Sequence, residues 1–386
     1  MEDRINNRTE DIKAVQKRPG MYIGSTSRRG LHRMLYEIVY NATAEAMAGF
    51  CRKITVTLHK DDSCTVSDDG RGIPVGIDED TGKTNLETVF THIKVGEKIG
   101  MGATVVNALS QWLAVTSFSG GKKCTLYFEK GALVRPYTEE KDETASHGLT
   151  VTFKPDPEIF EDVEFNHETV LARLKELAFL NAGLEIELID ERREKSFCYE
   201  DGICSFVRQL VKETQAEPLH PAIFHVKGQK EDITFEAAFQ YVDAGKEKIV
   251  SFLNNAKTDD GGDHETGFVS ALTAALNAEA EKDELFYKGA ALKEDDTVTG
   301  LCAVISVKTP ITQFDWPQRA LKNREVQVFS KKLIPEKLTE YFEEHPDDRD
   351  AILKKVLMAM NERISFFQRI EEGRQKAAEA ARDDKK

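Results

Sequence analysis

Between Leu31 and Ala46 the apolar residues Leu31, Met34, Leu35, Ile38, Val39, Ala42 and Ala46 recur every three or four positions, the spacing of one buried helical face. The pattern predicts a helix over 31–46. The period then changes: KITVTLHK and SCTVSDDG alternate apolar and polar residues around Asp61-Asp62, which reads as a β-hairpin running into a glycine turn. CTLYFEKG and GLTVTFKP read as later strands, and ATVVNALSQWL as a helix-like run. A helix from Glu168 to Leu180 is stopped at Asn181-Ala182-Gly183. One helical layer over one mainly antiparallel sheet satisfies this order.

A second unit is expected from Glu217-Pro218, where EPLHPAIF follows a helix and precedes the strand EAAFQYV. A Gly-Gly turn at 261–262, a helix from about His264 to Glu279, the strand GLCAVISVK and helices filling 325–380 complete it. The order β, α, β, α predicts a split βαβ unit whose right-handed crossover packs on long carboxy-terminal helices. The last segment, EEGRQKAAEAARDDKK, is of low complexity and reads as a fraying helix.

Composition removes several alternatives. No apolar run approaches the roughly 18 residues that span a bilayer, and MEDRINNRTEDIK is too charged for a secretory signal, so a cytoplasmic, non-membrane protein is expected. The net charge, 53 − 67 = -14, argues against a basic surface that wraps nucleic acid, so any DNA contact must be local or transient. The six cysteines show no CxxC pair or ligand spacing and read as reduced thiols.

Three places could carry chemistry. Glu37, Asn41 and Glu45 stand at i, i+4 and i+8 of the first strong helix, in one row facing away from the apolar stripe. Such a row alone is more often a solvated face. Next, an apolar strand runs into Asp68-Asp69-Gly70-Arg71-Gly72-Ile73-Pro74, a turn whose glycines let backbone approach a ligand while an acceptor-only carboxylate suits an exocyclic amine such as adenine's. Third, Gly96-Glu97-Lys98-Ile99-Gly100-Met101-Gly102 precedes the helix-like run. Exposed amides at a glycine-rich helix start favour phosphate, although a plain loop is the commoner reading of a lone glycine pattern.

In this order the three elements resemble the nucleotide site shared by gyrase, the Hsp90 chaperones, histidine kinases and MutL. RPGMYIGSTSRRGLH, YEIVYNATAEAMAGF, DDGRGIPVGI, VVNALSQ, LKELAFLNAG, NNAKTDDGGDHETGF and AVISVK are similar to successive signatures of the gyrase B and topoisomerase IV B subunits, from residue 12 to about 310. The resemblance implies an α+β chain: a GHKL-type ATPase sandwich over 1–215, with helices on one face of a mixed sheet, then a transducer over 216–386 of split βαβ type, ribosomal protein S5 domain 2-like. It implies ATP-driven clamp closure in a type II topoisomerase, with ATP and Mg²⁺ as cofactors. Glu37 would be the general base, Asn41 the Mg²⁺ ligand and Asp68 the acceptor for the adenine amine. Gly70, Gly72, Ile73 and Pro74 would line the base pocket, with Glu45 and Arg71 paired beside it. Gly96, Gly100, Met101 and Gly102 would lie along the phosphates, with Lys94 or Lys98 as a screening cation against Glu97 and Arg319 as a catalytic cation from the transducer. The implied partners are transiently held double-stranded DNA, a gyrase A-like cleavage subunit and, weakly, a second copy of the chain. The EGDSA and PLRGK signatures of the metal-binding cleavage region are absent, so the chain is not expected to cut DNA itself.

Several positions depart from the family. Tyr40 and Ala44 stand where E-x-V-D-N-x-x-D-E-A has acids, and only THIKVGEKI remains of a lid about ten residues longer. Glu97 replaces a glycine near the phosphates, Leu149 stands for the second threonine of K-T-G-T, and Pro317-Gln318-Arg319 aligns with Q-T-K. The amino-terminal arm lacks the early tyrosine that crosses to a second copy. Two readings follow: an ATPase subunit or fragment with weakened turnover, or a paralogue acting as a scaffold or regulator of a topoisomerase.

Overall fold

The computed structural model describes residues 9–95, 98–99, 101–142, 146–190, 193–286, 290–310 and 321–383, and the chain forms two compact units that divide between Gly202 and Ile203. The first opens with helices α1 (Glu10–Lys17), α2 (Gly20–Ile23) and α3 (Arg28–Met47) and strands β1 (Lys53–Leu58) and β2 (Cys64–Asp68). Helix α4 (Asn85–Thr91), the short strands β3 (Lys94–Val95) and β4 (Lys98–Ile99) and helix α5 (Gly102–Ala108) follow. The unit closes with β5 (Ser110–Ser119), β6 (Lys122–Glu129), β7 (Ala132–Lys141), β8 (Gly148–Pro155), α6 (His167–Leu180), β9 (Glu185–Ile189) and β10 (Glu194–Phe197). Eight of these strands form one sheet in the order β10-β9-β1-β2-β8-β5-β6-β7. Only β1 and β9 run parallel in it.

The stripe read from the sequence is the buried face of α3: Leu31, Met34, Leu35, Ile38, Val39 and Ala42 are all inside. They share one core with the inward residues Ile54, Val56, Val66, Leu113, Val115, Val151 and Phe153 of the sheet. Each such large side chain contributes about 1.5–3 kcal/mol on burial, which holds the polar row of α3 in place.

The helix-like run over 103–113 is two elements. Helix α5 ends at Ala108, where the Ser110 hydroxyl donates to the Val106 carbonyl at 2.6 Å, and β5 starts at once. Apolar spacing fits a helix up to Leu109 and a strand from Leu113, so the join carries no mark of its own.

In the second unit α7 (Ile203–Thr214) precedes β11 (Phe224–Lys230), β12 (Ile233–Tyr241), β13 (Lys248–Leu253) and β14 (Ala256–Lys257). Then come α8 (Asp263–Lys282), α9 (Glu294–Val298), β15 (Leu301–Lys308), α10 (Arg324–Glu344) and α11 (Pro346–Asp383). The sheet order is β11-β12-β15-β13-β14. The crossover differs from expectation: β12 and β15 pair antiparallel, and the parallel neighbour of β15 is β13. The run KIVSFL of β13 hides from a period-two test because its last three residues are all buried. The boundary also moves from 215/216 to 202/203. The apolar face of α7, with Ile203, Phe206, Val207, Leu210 and Val211, lies on β12 and β15, so this helix belongs to the second sheet. Among the described residues no helix is long and apolar enough to cross a membrane.

Candidate functional site

Glu37, Asn41 and Glu45 run along α3 over about 12 Å, from the 1.5 Å rise per residue. Each end of this row meets a different glycine-bearing segment. At the Glu45 end lies the turn that follows β2. A Cβ added at Gly70 would stand 3.1 Å from Glu45 Cβ and Cγ and 2.8 Å from Asp68 Oδ1, so strand end and helix lie close at this glycine. Arg71 Nε and Nη2 donate to the two Glu45 carboxylate oxygens, each at 2.9 Å, and the Phe50 ring lies 3.9 Å beneath the guanidinium. Those hydrogen bonds hold the Glu45 carboxyl below the usual carboxylate range.

The adjacent acids of the turn have separate duties. Asp69 Oδ1 accepts from the backbone N–H groups of Arg52 and Lys53 at 2.7 and 2.9 Å, closing the start of β1. Burial would push its carboxyl up, yet these backbone donors bring it below the ordinary value. For Asp68 burial wins over the Gly70 and Leu149 N–H groups, and its carboxyl rises to about 6. Two neighbouring carboxyls are thus driven apart by their surroundings, an arrangement that makes Asp68 a candidate for ligand contact. The backbone around Asp68 is tight: Gly72, at φ +67°, and Gly148, at φ +123°, occupy conformations that side-chain-bearing residues avoid. His147 donates from Nδ1 to the Gly70 carbonyl at 2.9 Å.

At the Glu37 end lies the start of α5. A Cβ on Gly102 would be 2.9 Å from Glu37 Oε2, so this backbone rests directly on the carboxylate. Oε1 faces the other way, 3.4 Å from Arg33 Nε one turn earlier. Burial pushes the Glu37 carboxyl above its ordinary value and Arg33 opposes the rise; 26% of the side chain stays accessible. Helix α5 is fixed to the end of α4, since Thr104 Oγ1 meets the Val89 and His92 carbonyls and Asn107 Nδ2 donates to Phe90 O at 2.9 Å. Exposed Met101 caps α5, and exposed Asn41 lies midway along the row.

In the segment expected to form a shortened lid, Lys94 pairs with Ile99 and Val95 with Lys98 in a small antiparallel pair. Gly96, Glu97, Gly100 and Arg319, and the side chain of Lys94, lie outside the described residues. Tyr40 turns toward α6, where its hydroxyl accepts from Arg173 Nη2 at 3.0 Å. The sequence reading thus names both ends of the row, and His147 as part of the Ser146-His147-Gly148-Leu149 stretch that stands for K-T-G-T, but omits Arg33 and Phe50. Arg33 is announced by its i,i+4 spacing to Glu37, whereas Phe50 has no local signal. A separate open cleft of about 530 Å³ lies at the opposite end of the β1–β2 hairpin, among His59, Lys60, His167 and Arg193. Within it His167 Nδ1 lies 2.6 Å from Asp190 Oδ2, and Arg193 pairs with Glu168 at 3.0 Å.

The chain matches a family model described as histidine kinase-, DNA gyrase B- and HSP90-like ATPase over residues 26–159, and one described as DNA gyrase B over residues 202–369. It is 40% identical over 388 residues to the DNA gyrase B protein of Enterococcus faecalis, covering 96% of this chain and 60% of that protein. It is 41% identical over 373 residues to the DNA gyrase B protein of Archaeoglobus fulgidus, covering 90% and 57%. The chain therefore spans somewhat under two thirds of the length of these curated relatives. The crystal structure of the 43K ATPase domain of Thermus thermophilus gyrase B, in complex with an aminocoumarin, superposes with a TM-score of 0.83 at 36% identity, covering 94% of this chain and 98% of that one. The topoisomerase IV ATP-binding domain of Francisella tularensis gives 0.79 at 28% identity, covering 92% and 98%. With its GHKL-type ATPase unit followed by a transducer unit, the chain belongs to the DNA gyrase B family.

Proposed function

We propose that the first unit binds Mg·ATP along α3 and hydrolyses it, as the ATP-operated part of a type II DNA topoisomerase. The observation that carries this reading is the row itself: one helix face joins a half-buried acceptor carboxylate at one end to a glycine helix start resting on a second carboxylate at the other. A nucleoside triphosphate laid along the row would place its base at Asp68 and its γ-phosphate near Glu37. The residues present fit such a guest, because Gly70 and Gly102 add no side chain where they approach the acids of the row and the half-buried Asp68 can accept from an exocyclic amine.

Asp68 accepts from the adenine amine, and Gly72, Ile73 and Pro74 flank the base. Glu37 Oε2 takes the proton of the attacking water, a role suited to a carboxyl that burial raises above its ordinary value while Arg33 opposes the rise. Asn41 Oδ1 would hold Mg²⁺, with phosphate oxygens and water completing the shell. Mg²⁺, when bound, supplies charge neutralisation on the phosphates. The start of α5 at Gly102 lies on the phosphate side of the row. By the same family argument the relevant partners are double-stranded DNA held in a clamp and a gyrase A-like cleavage subunit.

Phosphate release tests the reading. Glu37→Gln keeps the shape of the side chain and removes the base, so turnover is expected to fall at least 100-fold while ATP binding changes less than about threefold. Undiminished turnover in that variant would remove Glu37 from the role.

A further inference from the structure

Ile73 lies in the turn after β2, outside any strand, yet both of its backbone polar groups are taken by one side chain. Its N–H donates to Ser117 Oγ at 2.8 Å, and Ser117 Oγ–H donates back to the Ile73 carbonyl at 3.2 Å. A hydroxyl has one proton to give and lone pairs to receive, so the pair of bonds uses it as donor and acceptor at once. Ser117 follows Leu113 and Val115 on the inward face of β5 and is 1% exposed. A polar atom placed in that apolar row needs a partner, and the turn is the partner it finds. The approach is close: a Cβ at Gly72 would meet Phe118 O at 2.4 Å and Ser117 Oγ at 3.0 Å.

We propose that Ser117 is a positioning residue for the base pocket, its hydroxyl fastening Gly72-Ile73-Pro74 onto β5 so that the pocket wall is formed before nucleotide arrives. The inference rests on the reading of Asp68 to Pro74 as the base pocket. It accounts for how this wall is held beside a lid reduced to the β3–β4 pair. Without the clip, the Ile73 N–H and C=O lose their partner and the turn samples other conformations. Apparent affinity then falls by the fraction of time the wall is in place.

The test compares Ser117→Ala with the parent, and Ser117→Val with Ser117→Thr, a pair alike in shape that differs by the hydroxyl. Two quantities are read: ADP affinity by calorimetry, and amide hydrogen exchange over residues 69–75 without nucleotide. The expected result is a Kd for ADP raised roughly 5- to 30-fold in the Ala and Val variants, about 1–2 kcal/mol at 1.4 kcal/mol per tenfold. Exchange over 69–75 should rise at least tenfold in both, with β5 and β8 unchanged, and Thr should stay near the parent in each measurement. Val equal to Thr in both measurements would overturn the proposal, as would exchange that rises equally through β5. Asp68→Asn is the control for the underlying reading. If it binds ADP as the parent does, the base lies elsewhere and the pocket reading fails; if it weakens binding while Val and Thr stay equal, only the role of Ser117 fails.

Discussion

Asp68 presents a case where stability and binding should move in opposite directions. Asp68→Asn keeps an Oδ1 acceptor for the Gly70 N–H, which lies 2.9 Å away, but cannot ionise. Burial lifts the parent carboxyl from 3.8 to about 6. A carboxyl raised in the fold gives stability that is fully present below the unfolded value near 3.8 and is lost as pH rises through about 6. At neutral pH the ionised group is therefore a burden on the fold. The full shift corresponds to about 3 kcal/mol at ~1.4 kcal/mol per pH unit, and solvent at the partly open rim reduces this to roughly 1–2 kcal/mol. Asp68→Asn should thus be more stable than the parent by that amount at pH 7, with the gain shrinking below about 1 kcal/mol at pH 4. The same variant should bind ATP more weakly by on the order of 1–3 kcal/mol, because an amide NH₂ or a mispaired acceptor faces the base. Urea unfolding of nucleotide-free protein at the two pH values, beside ATP titration, reads both effects. A variant less stable than the parent at pH 7, or a gain that does not change with pH, would refute the assignment of Asp68 as a carboxylate held at a cost to the fold.

Other expectations follow from particular contacts. Gly148→Ala puts a Cβ 2.0 Å from the Asp68 carbonyl oxygen at φ +123°, so strain and overpacking together should cost about 3 kcal/mol or more; scanning calorimetry showing a loss under about 1 kcal/mol would contradict the geometry. His264 is fully buried, with Nε2 3.0 Å from Thr258 Oγ1, and burial brings it from 6.5 to about 4. The unfolded chain takes a proton below 6.5 that the fold refuses, so the second unit should lose up to roughly 3 kcal/mol as pH falls from 6.5 to 4, and His264→Gln should flatten that loss in urea unfolding. The short β3–β4 pair leaves the phosphates wetter, which weakens each charge contact. Micromolar or weaker affinity, little preference for ATP over ADP and at most weak nucleotide-dependent dimerisation are expected, and sedimentation velocity with a non-hydrolysable analogue that gives a complete, slowly dissociating dimer would oppose this.

What could be read from the sequence was local or strictly periodic. The stripe of α3, the β1–β2 hairpin and the α6 stop at Asn181 are visible because one period runs unbroken through each. The α5–β5 join was hidden because Leu109 and Leu113 satisfy helix and strand spacing alike. Strand β13 was hidden because a strand buried at successive positions does not alternate, and α7 was assigned to the wrong unit because an amphipathic helix does not say which sheet it covers. In the site, Glu37, Asn41, Glu45 and the glycine turn are contiguous enough to be recognised. The Ser117 clip joins positions 44 residues apart, and His147 reaches Gly70 across 77. Such pairings arise from strand order, which no local pattern encodes, although a hydroxyl in the inward row Leu113, Val115, Ser117 is a trace that a careful reading of β5 can use.

The central claim is that the α3 row holds a nucleoside triphosphate with its base at Asp68 and its terminal phosphate at Glu37. Its most direct test is calorimetric titration of a non-hydrolysable ATP analogue with Mg²⁺ into the parent, Asp68→Asn and Glu37→Gln. The account predicts one site per chain of micromolar or weaker affinity, weakened roughly 5- to 150-fold by Asp68→Asn and changed less than about threefold by Glu37→Gln. No binding to the parent, or binding indifferent to Asp68, would contradict it.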